Sequence, residues 1–237
     1  MTGRTPYRVG IYSALSEATP AHLRRSEITI ATLLKNAGYA TAMFGKWHLN
    51  GMFNYRTVHP QPNDHGFDTW FATQNNALPN HHKPYNFARN GIPVGPMEGY
   101  AAHLVAGEAI DWLANILDKT RPFFLYVTFH EPHEPIATDP QYADRYRAKH
   151  PDDPSRVAYY GNVTQMDAAV GRILRALEAE GVANHTLVWF TSDNGPARTR
   201  WHNAGSSGGL REYKGSLYEG GTRVPGIIRW PDSVLTS

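Results

Sequence analysis

Apolar positions along the chain switch between a helical rhythm and short unbroken runs. Residues 27–36 (EITIATLLKN) place Ile28, Ala31 and Leu34 at helical spacing, and Gly38 supplies a stop. This predicts a helix feeding a short strand over 39–44 (YATAMF), which empties into Gly45-Lys46-Trp47-His48. A second helix is predicted over 103–118, with Leu104, Ala109, Trp112, Leu113 and Ile116 on one side and Pro122 as the break. Residues 123–129 (FFLYVTF) form an uninterrupted apolar run of the kind found in a strand buried on both faces. Over 159–180, Val163, Met166, Val170, Ile173, Leu174 and Leu177 lie on one stripe, closed by Gly181. A strand at 187–190 (LVWF) then runs into Thr191-Ser192-Asp193-Asn194-Gly195, and a last one at 224–230 (VPGIIRW) is cut off by Pro231.

Helices alternating with buried strands predict an α/β fold with a largely parallel sheet between helical layers. At 237 residues the chain is expected to form one large domain or the major part of one. Two segments rich in Pro, Gly, Asn and His, at about 50–100 and 195–222, are too long for ordinary connectors and are expected to be functional. Open parallel sheets bind ligands at the carboxyl ends of their strands. Lys46 and His48, His130 and His133, and Asp193 and Asn194 all follow predicted strands, so they are expected to converge on one cleft.

Composition narrows the classes. Hydrophobic residues at 41% and charged residues at 19% describe a globular protein and exclude disorder as the main state. The net charge of +2, without a basic run, gives no case for nucleic acid. With no cysteine, neither a disulfide framework nor a thiolate zinc site can form within these residues. No stretch of about 18 apolar residues occurs, and Met1 is not followed by the apolar region of a leader. Twelve histidines and six tryptophans point to a polar cleft with aromatic walls.

The candidate chemistry is carried by short motifs, each with a bland alternative. Asp193-Asn194-Gly195 offers two hard oxygen ligands suited to calcium or magnesium, and serves equally well as an Asx turn at a strand end. Lys46 and His48, two apart, would share one face with Trp47 turned toward packing; they suit an anion, or are a solvated lysine and a satisfied histidine. The loop His130-Glu131-Pro132-His133-Glu134-Pro135, expected to be held extended by its prolines, offers imidazoles for metal, proton transfer or anion contact. No further ligand pattern completes a zinc site there. Lys214 lies in REYKGSLYEGGTRVP, where Gly220-Gly221 is expected to allow a sharp turn beside a ligand. Asn80, His81 and His82 are either loop packing or sugar contacts.

In order, GYATAMFGKWHL (38–49), HGFDTWF (65–71), PFFLYVTFHEPHEP (122–135), VTQMDAAVGRIL (163–174), FTSDNGP (190–196) and YKGSLYEGGTRVP (213–225) resemble the sulfatases of the alkaline-phosphatase superfamily. Six collinear matches, each on the element its periodicity predicts, make the resemblance specific. It implies a three-layer α/β/α sandwich with a mostly parallel central sheet, and hydrolysis of a sulfuric ester, plausibly a sulfated carbohydrate. It further implies that Asp193 and Asn194 ligate one divalent cation, usually calcium with magnesium as the alternative, and that Lys46 and Lys214 contact the sulfate oxygens. His48 would steady the nucleophile, His133 would sit at the ester oxygen, and Asn76 would face the substrate.

The family nucleophile is a formylglycine made from cysteine or serine in a C/S-x-P-x-R signature, and Met1-Thr2-Gly3-Arg4 resembles only the tail of it. Ser13 and Ser16 lack the following proline and arginine. Residues 1–237 are therefore expected to be a partial sulfatase catalytic domain, inactive as printed, whose parent is exported to a periplasmic or extracellular location. The alternatives are a phosphatase or phosphodiesterase of the same superfamily, or a non-catalytic anion-binding fragment. Oligomeric state leaves no readable trace.

Overall fold

The structure, a computed structural model, describes residues 1–16, 19–51, 59–199 and 204–231. Parts of the two long loops, 52–58 and 200–203, lie outside the described residues. The chain divides into two compact units, Met1–Ala137 and Thr138–Ser237.

In the first unit, α1 (Ile30–Asn36) starts at Thr29, whose hydroxyl accepts from the Thr32 amide and caps the first turn. The predicted helix is thus shortened at its front, and Ile28 lies outside it, exposed. Strand β1 (Ala40–Lys46) follows, then β2 (Thr69–Thr73), the short pair β3 (Ala88–Arg89) and β4 (Ile92–Pro93), helix α2 (Ala101–Asp111) and β5 (Phe123–Thr128). The sheet order is β4-β3-β2-β1-β5, with β1 parallel to β2 and β5 and the β2-β3-β4 side antiparallel. The sheet is mixed and mostly parallel in its centre, as expected. Strand β2 lies inside the segment expected to be loop, where TWFAT is too short to show a period.

Alternation along β1 decides which helix each face receives. Met43 points into a cluster with Ala31 of α1, Trp47, Phe67 and Trp70, joined by Phe124 and Tyr126 of β5. Phe67 is fully buried, stacked on Phe124 and Tyr126 at 6.1 and 6.2 Å and edge-on to Trp47 at 6.3 Å. Phe44 points the other way, toward Trp112 at 6.4 Å. Helices therefore cover both faces of β1. Two expectations are corrected here. Strand β5 is the sheet edge and is only partly buried along its length, because one side has no ladder partner among the described residues. Ile116 is exposed, because α2 widens into a π-helical turn over Trp112–Ile116 that rotates the last turn away from the face of Ala109 and Leu113.

The second unit is led by α3 (Pro140–Arg147) and the 26-residue α4 (Pro154–Ala179), capped by Asp139 and Asp153. The buried stripe of α4 runs through Val157, Gly161, Gln165, Ala169, Ile173 and Leu177, whereas Val163 is exposed. Gly161 is where α3 comes closest: a Cβ there would lie 2.8 Å from the Ala143 Cα. Gln165 is tolerated in the stripe because its Oε1 accepts from the Asp139 amide.

Strands β6 (Val188–Thr191) and β7 (Gly226–Arg229) form an antiparallel pair, with the short helix α5 (Glu219–Thr222) between them in sequence. Both strands were expected to be buried and are not. Trp189 and Ile228, opposite each other in the ladder, are 68% and 64% exposed, since each strand pairs only with the other among the described residues.

Candidate functional site

The carboxyl ends of β1, β2 and β5 lie side by side in the first unit. Register places Lys46 opposite Thr73 and Gly45 opposite Thr128. Gly45, at φ 116°, is the point of closest approach, because a Cβ there would fall 1.8 Å from the Thr128 carbonyl oxygen. The Thr128 hydroxyl donates to the Lys46 carbonyl at 2.8 Å and fixes the backbone that presents the lysine. Trp47 is buried and packs against Phe67 and His65, as its predicted orientation requires.

A polar chain runs outward from these tips. The Lys46 ammonium donates to Asn76 Oδ1 at 3.2 Å, and Asn76 Nδ2 donates to the Glu134 carbonyl at 3.0 Å. That carbonyl also accepts from His133 Nδ1 at 2.7 Å. A carbonyl only accepts, so the proton of neutral His133 sits on Nδ1, and Nε2 is the nitrogen that gains or loses one. Asn86 holds the loop from behind, donating to the Asn76 carbonyl and accepting from the Leu78 amide, both at 2.9 Å. Three residues predicted from separate motifs, Lys46, Asn76 and His133, are thereby joined.

The histidine-rich loop turns instead of running extended. The His133 amide bonds the His130 carbonyl at 2.9 Å, and the peptide bonds before Pro132 and Pro135 are cis. Glu131, buried, accepts from the Ala102 amide at 2.9 Å and so places a carboxylate on the first turn of α2, where helix N–H groups favour negative charge. His130 is 2% exposed and bonds the Thr73 hydroxyl at 2.7 Å. Burial, joined by the charges of His81, Lys46 and His133, pushes its imidazole well below the ordinary histidine range, so it is held neutral.

His48 follows a different partner. It sits at φ 52°, past the end of β1, with Nε2 3.0 Å from the Leu15 carbonyl. His81 is buried at 1% exposure, near Glu131, and Asn80 closes its own turn by accepting from the His82 amide. His82 stacks on Tyr100 at 4.6 Å. For His81 and Asn80 the packing alternative describes what is seen.

In the second unit, Asp193 and Asn194 follow β6 after Ser192. The Asn194 Nδ2 donates to the Gly195 carbonyl, which fixes the orientation of the amide. The Gly195 amide bonds the Gly221 carbonyl at 2.9 Å, and the Lys214 amide bonds the Pro196 carbonyl at 3.0 Å, so the two motifs are stitched together through main chain. Gly220 and Gly221 do not make the expected sharp turn. They lie in α5, and their lack of a side chain gives room: a Cβ on Gly220 would lie 1.9 Å from the Glu212 carbonyl oxygen. Asp193 and Asn194 supply oxygen donors of the kind calcium or magnesium accepts. Among the described residues no group of three or more His, Cys, Asp or Glu could hold a metal ion.

Two clefts of about 240 and 270 Å³ are lined by Arg89, Glu108 and Trp112, and by Arg25, Asp64 and Trp70. None of the predicted site residues lines either, and their charged groups are already paired, Arg89 with Glu108 and Arg25 with Asp64. The strand tips remain the better candidate. No helix among the described residues is long and apolar enough to cross a membrane.

Residues 1–236 match the family model described as Sulfatase. The chain is 32% identical to N-acetylgalactosamine-6-sulfatase of Mus musculus, over 99% of this chain and 47% of that protein. It is 31% identical to arylsulfatase A of Homo sapiens, over 99% and 48%. Among solved structures, that of Ps i-CgsB in complex with k-i-k-neocarrahexaose superposes with a TM-score of 0.84 at 26% identity, covering 98% of this chain and 53% of that one. The chain thus spans about half the length of the relatives it matches. The α/β, alkaline-phosphatase-like fold expected from the motifs is the fold of these structures.

Proposed function

From the premise that the chain belongs to the sulfatase family, we propose that the protein carrying it hydrolyses a sulfate ester, with a sulfated glycan as substrate. The observation that carries this reading is the chain Lys46–Asn76–Glu134 carbonyl–His133, which sets a fixed ammonium and a proton-exchanging imidazole at adjacent strand tips. The glycan assignment draws on the k-i-k-neocarrahexaose with which Ps i-CgsB is in complex. Export to a periplasmic or extracellular location accords with a glycan substrate.

Cleaving a sulfate ester requires holding a tetrahedral anion and stabilising charge on the departing oxygen. Lys46 balances the charge of the sulfate oxygens, Asn76 orients Lys46 and faces the substrate, and Lys214 adds a second ammonium. His133, with Nδ1 committed to Glu134, delivers a proton from Nε2 to the ester oxygen as its bond to sulfur breaks. His48 steadies the nucleophile. Losing one preorganised contact of this kind costs about 3 kcal/mol of transition-state stabilisation.

The family is generally metal-dependent and carries a formylglycine nucleophile. Asp193 and Asn194 would hold a divalent cation, calcium by preference, whose charge would favour the deprotonated nucleophile. The test is nitrophenol release by the full-length protein from nitrophenyl sulfate and nitrophenyl phosphate. A higher kcat/KM for the sulfate supports the reading. Preference for the phosphate would reassign the site to phosphoryl transfer.

A further inference from the structure

We propose that His130 is a positioning residue that ties the β5 loop to the tip of β2 across the end of β1, and so holds Lys46, Asn76 and His133 in register. The sulfatase motifs drew His130 into the same histidine-rich loop as His133, but its geometry differs. Its Nε2 lies 2.7 Å from the Thr73 hydroxyl, and that hydroxyl donates to the Asn75 carbonyl at 2.6 Å. Thr73 has one proton to give, so it accepts from His130, and the imidazole is the Nε2–H tautomer.

The sheet order β2-β1-β5 makes this bond a bridge over the strand that carries Lys46. On one side Thr73 opposes Lys46 in register and its hydroxyl sets the Asn75 carbonyl next to Asn76. On the other, the His130 carbonyl accepts from the His133 amide. One buried side chain therefore fixes both ends of the Lys46–Asn76–Glu134–His133 chain. Because His130 is buried against the Phe87 ring, and burial together with the charges of His81, Lys46 and His133 disfavours a charge on it, a neutral donor is the form this place accepts, and neither proton transfer nor metal ligation is required of it.

The role rests on the sulfate-ester reading, and two arms separate the two claims. In the full-length protein, His130→Ala is expected to lower kcat/KM for nitrophenyl sulfate by about 30-fold to 100-fold, the scale of a misplacement of roughly 1 Å. His130→Gln, which keeps a donor at similar reach but cannot titrate, is expected to restore kcat/KM to within about threefold of wild type with both limbs of the pH profile in place. Equal losses in the Ala and Gln variants, or loss of a pH limb in both, would overturn the proposal. The second arm is free of turnover: 15N spectra of the imidazoles in wild type and Thr73→Val, with near-ultraviolet circular dichroism to confirm folding. Wild type should show His130 protonated on Nε2 and His133 on Nδ1, and Thr73→Val should turn His133 into a tautomer mixture. A His133 signal unchanged by Thr73→Val overturns the bridge, whereas a wild type inert toward sulfate esters but spectrally as described overturns only the sulfate-ester reading.

Discussion

Gly45 is the tight joint between β1 and β5, and replacing it with alanine perturbs both the sheet and the lysine beside it. A Cβ built there lies 1.8 Å from the Thr128 carbonyl oxygen and 2.7 Å from its carbon, distances no real Cβ tolerates. Relief needs β1 and β5 to part by roughly 1.2 Å at this point, since contacts under 3.0 Å essentially never occur. Such an opening takes the flanking ladder bonds out of range, at about 1 kcal/mol each for two bonds. Holding alanine at φ 116° adds about 1 to 3 kcal/mol of backbone strain. Gly45→Ala is therefore expected to destabilise this unit by about 3 to 5 kcal/mol. Urea unfolding followed by tryptophan fluorescence reads the unit directly, because Trp47 and Trp70 are buried in it. With a slope of about 2 kcal/mol per molar urea, the midpoint should fall by about 1.5 to 2.5 M. Gly107→Ala is the control. It lies in α2 with nothing within 4 Å of a new Cβ, and should stabilise by up to about 1 kcal/mol. A Gly45→Ala midpoint within about 0.3 M of wild type would refute the close approach.

Phe67→Ala, which empties the stack against Phe124, Tyr126 and Trp47, should cost about 3 to 5 kcal/mol in the same urea assay, and Phe67→Leu no more than about 1.5 kcal/mol. Burial holds His65 below its ordinary pKa, outweighing the Leu23 backbone and the Asp64 carboxylate, and His130 is shifted the same way. The unfolded chain thus binds these protons first, so stability is complete above about pH 6.5 and is lost as pH falls toward the native values, by up to about 1.4 kcal/mol per pH unit for each group. The urea midpoint should drop between pH 7 and pH 5, and His65→Gln should make that drop shallower. Gly161→Ala places a methyl against Ala143 and Thr138, and should lower the melting temperature of the second unit despite the better helix propensity of alanine.

What the sequence revealed follows what local pattern can encode. The body and end of the first helix, the strand entering GKWH and the placement of Lys46 and His133 after strand ends were legible because period and strand-end position are local properties. The α4 stripe was read correctly at Ile173 and Leu177 but without Gly161 and Gln165, which an apolar search skips and whose burial depends on a neighbouring helix and a distant amide. Strand β2 was missed because five residues carry too little period, and with it Thr73, whose value lies in facing Lys46 across a ladder. Gly220-Gly221 was correctly noticed, but for dihedral freedom when its role is space. Asn76 was reached only through family resemblance; its bonds to Lys46 and Glu134 join residues 30 and 58 positions apart, which no spacing rule anticipates.

The assembly of Lys46, Asn76 and His133 into one sulfate-handling group is tested most directly by kcat/KM for nitrophenyl sulfate in the full-length protein and its Lys46→Ala variant. A loss of about 100-fold to 1,000-fold, with the fold intact by circular dichroism, is the expected result. A variant that keeps kcat/KM within about threefold of wild type would contradict the account.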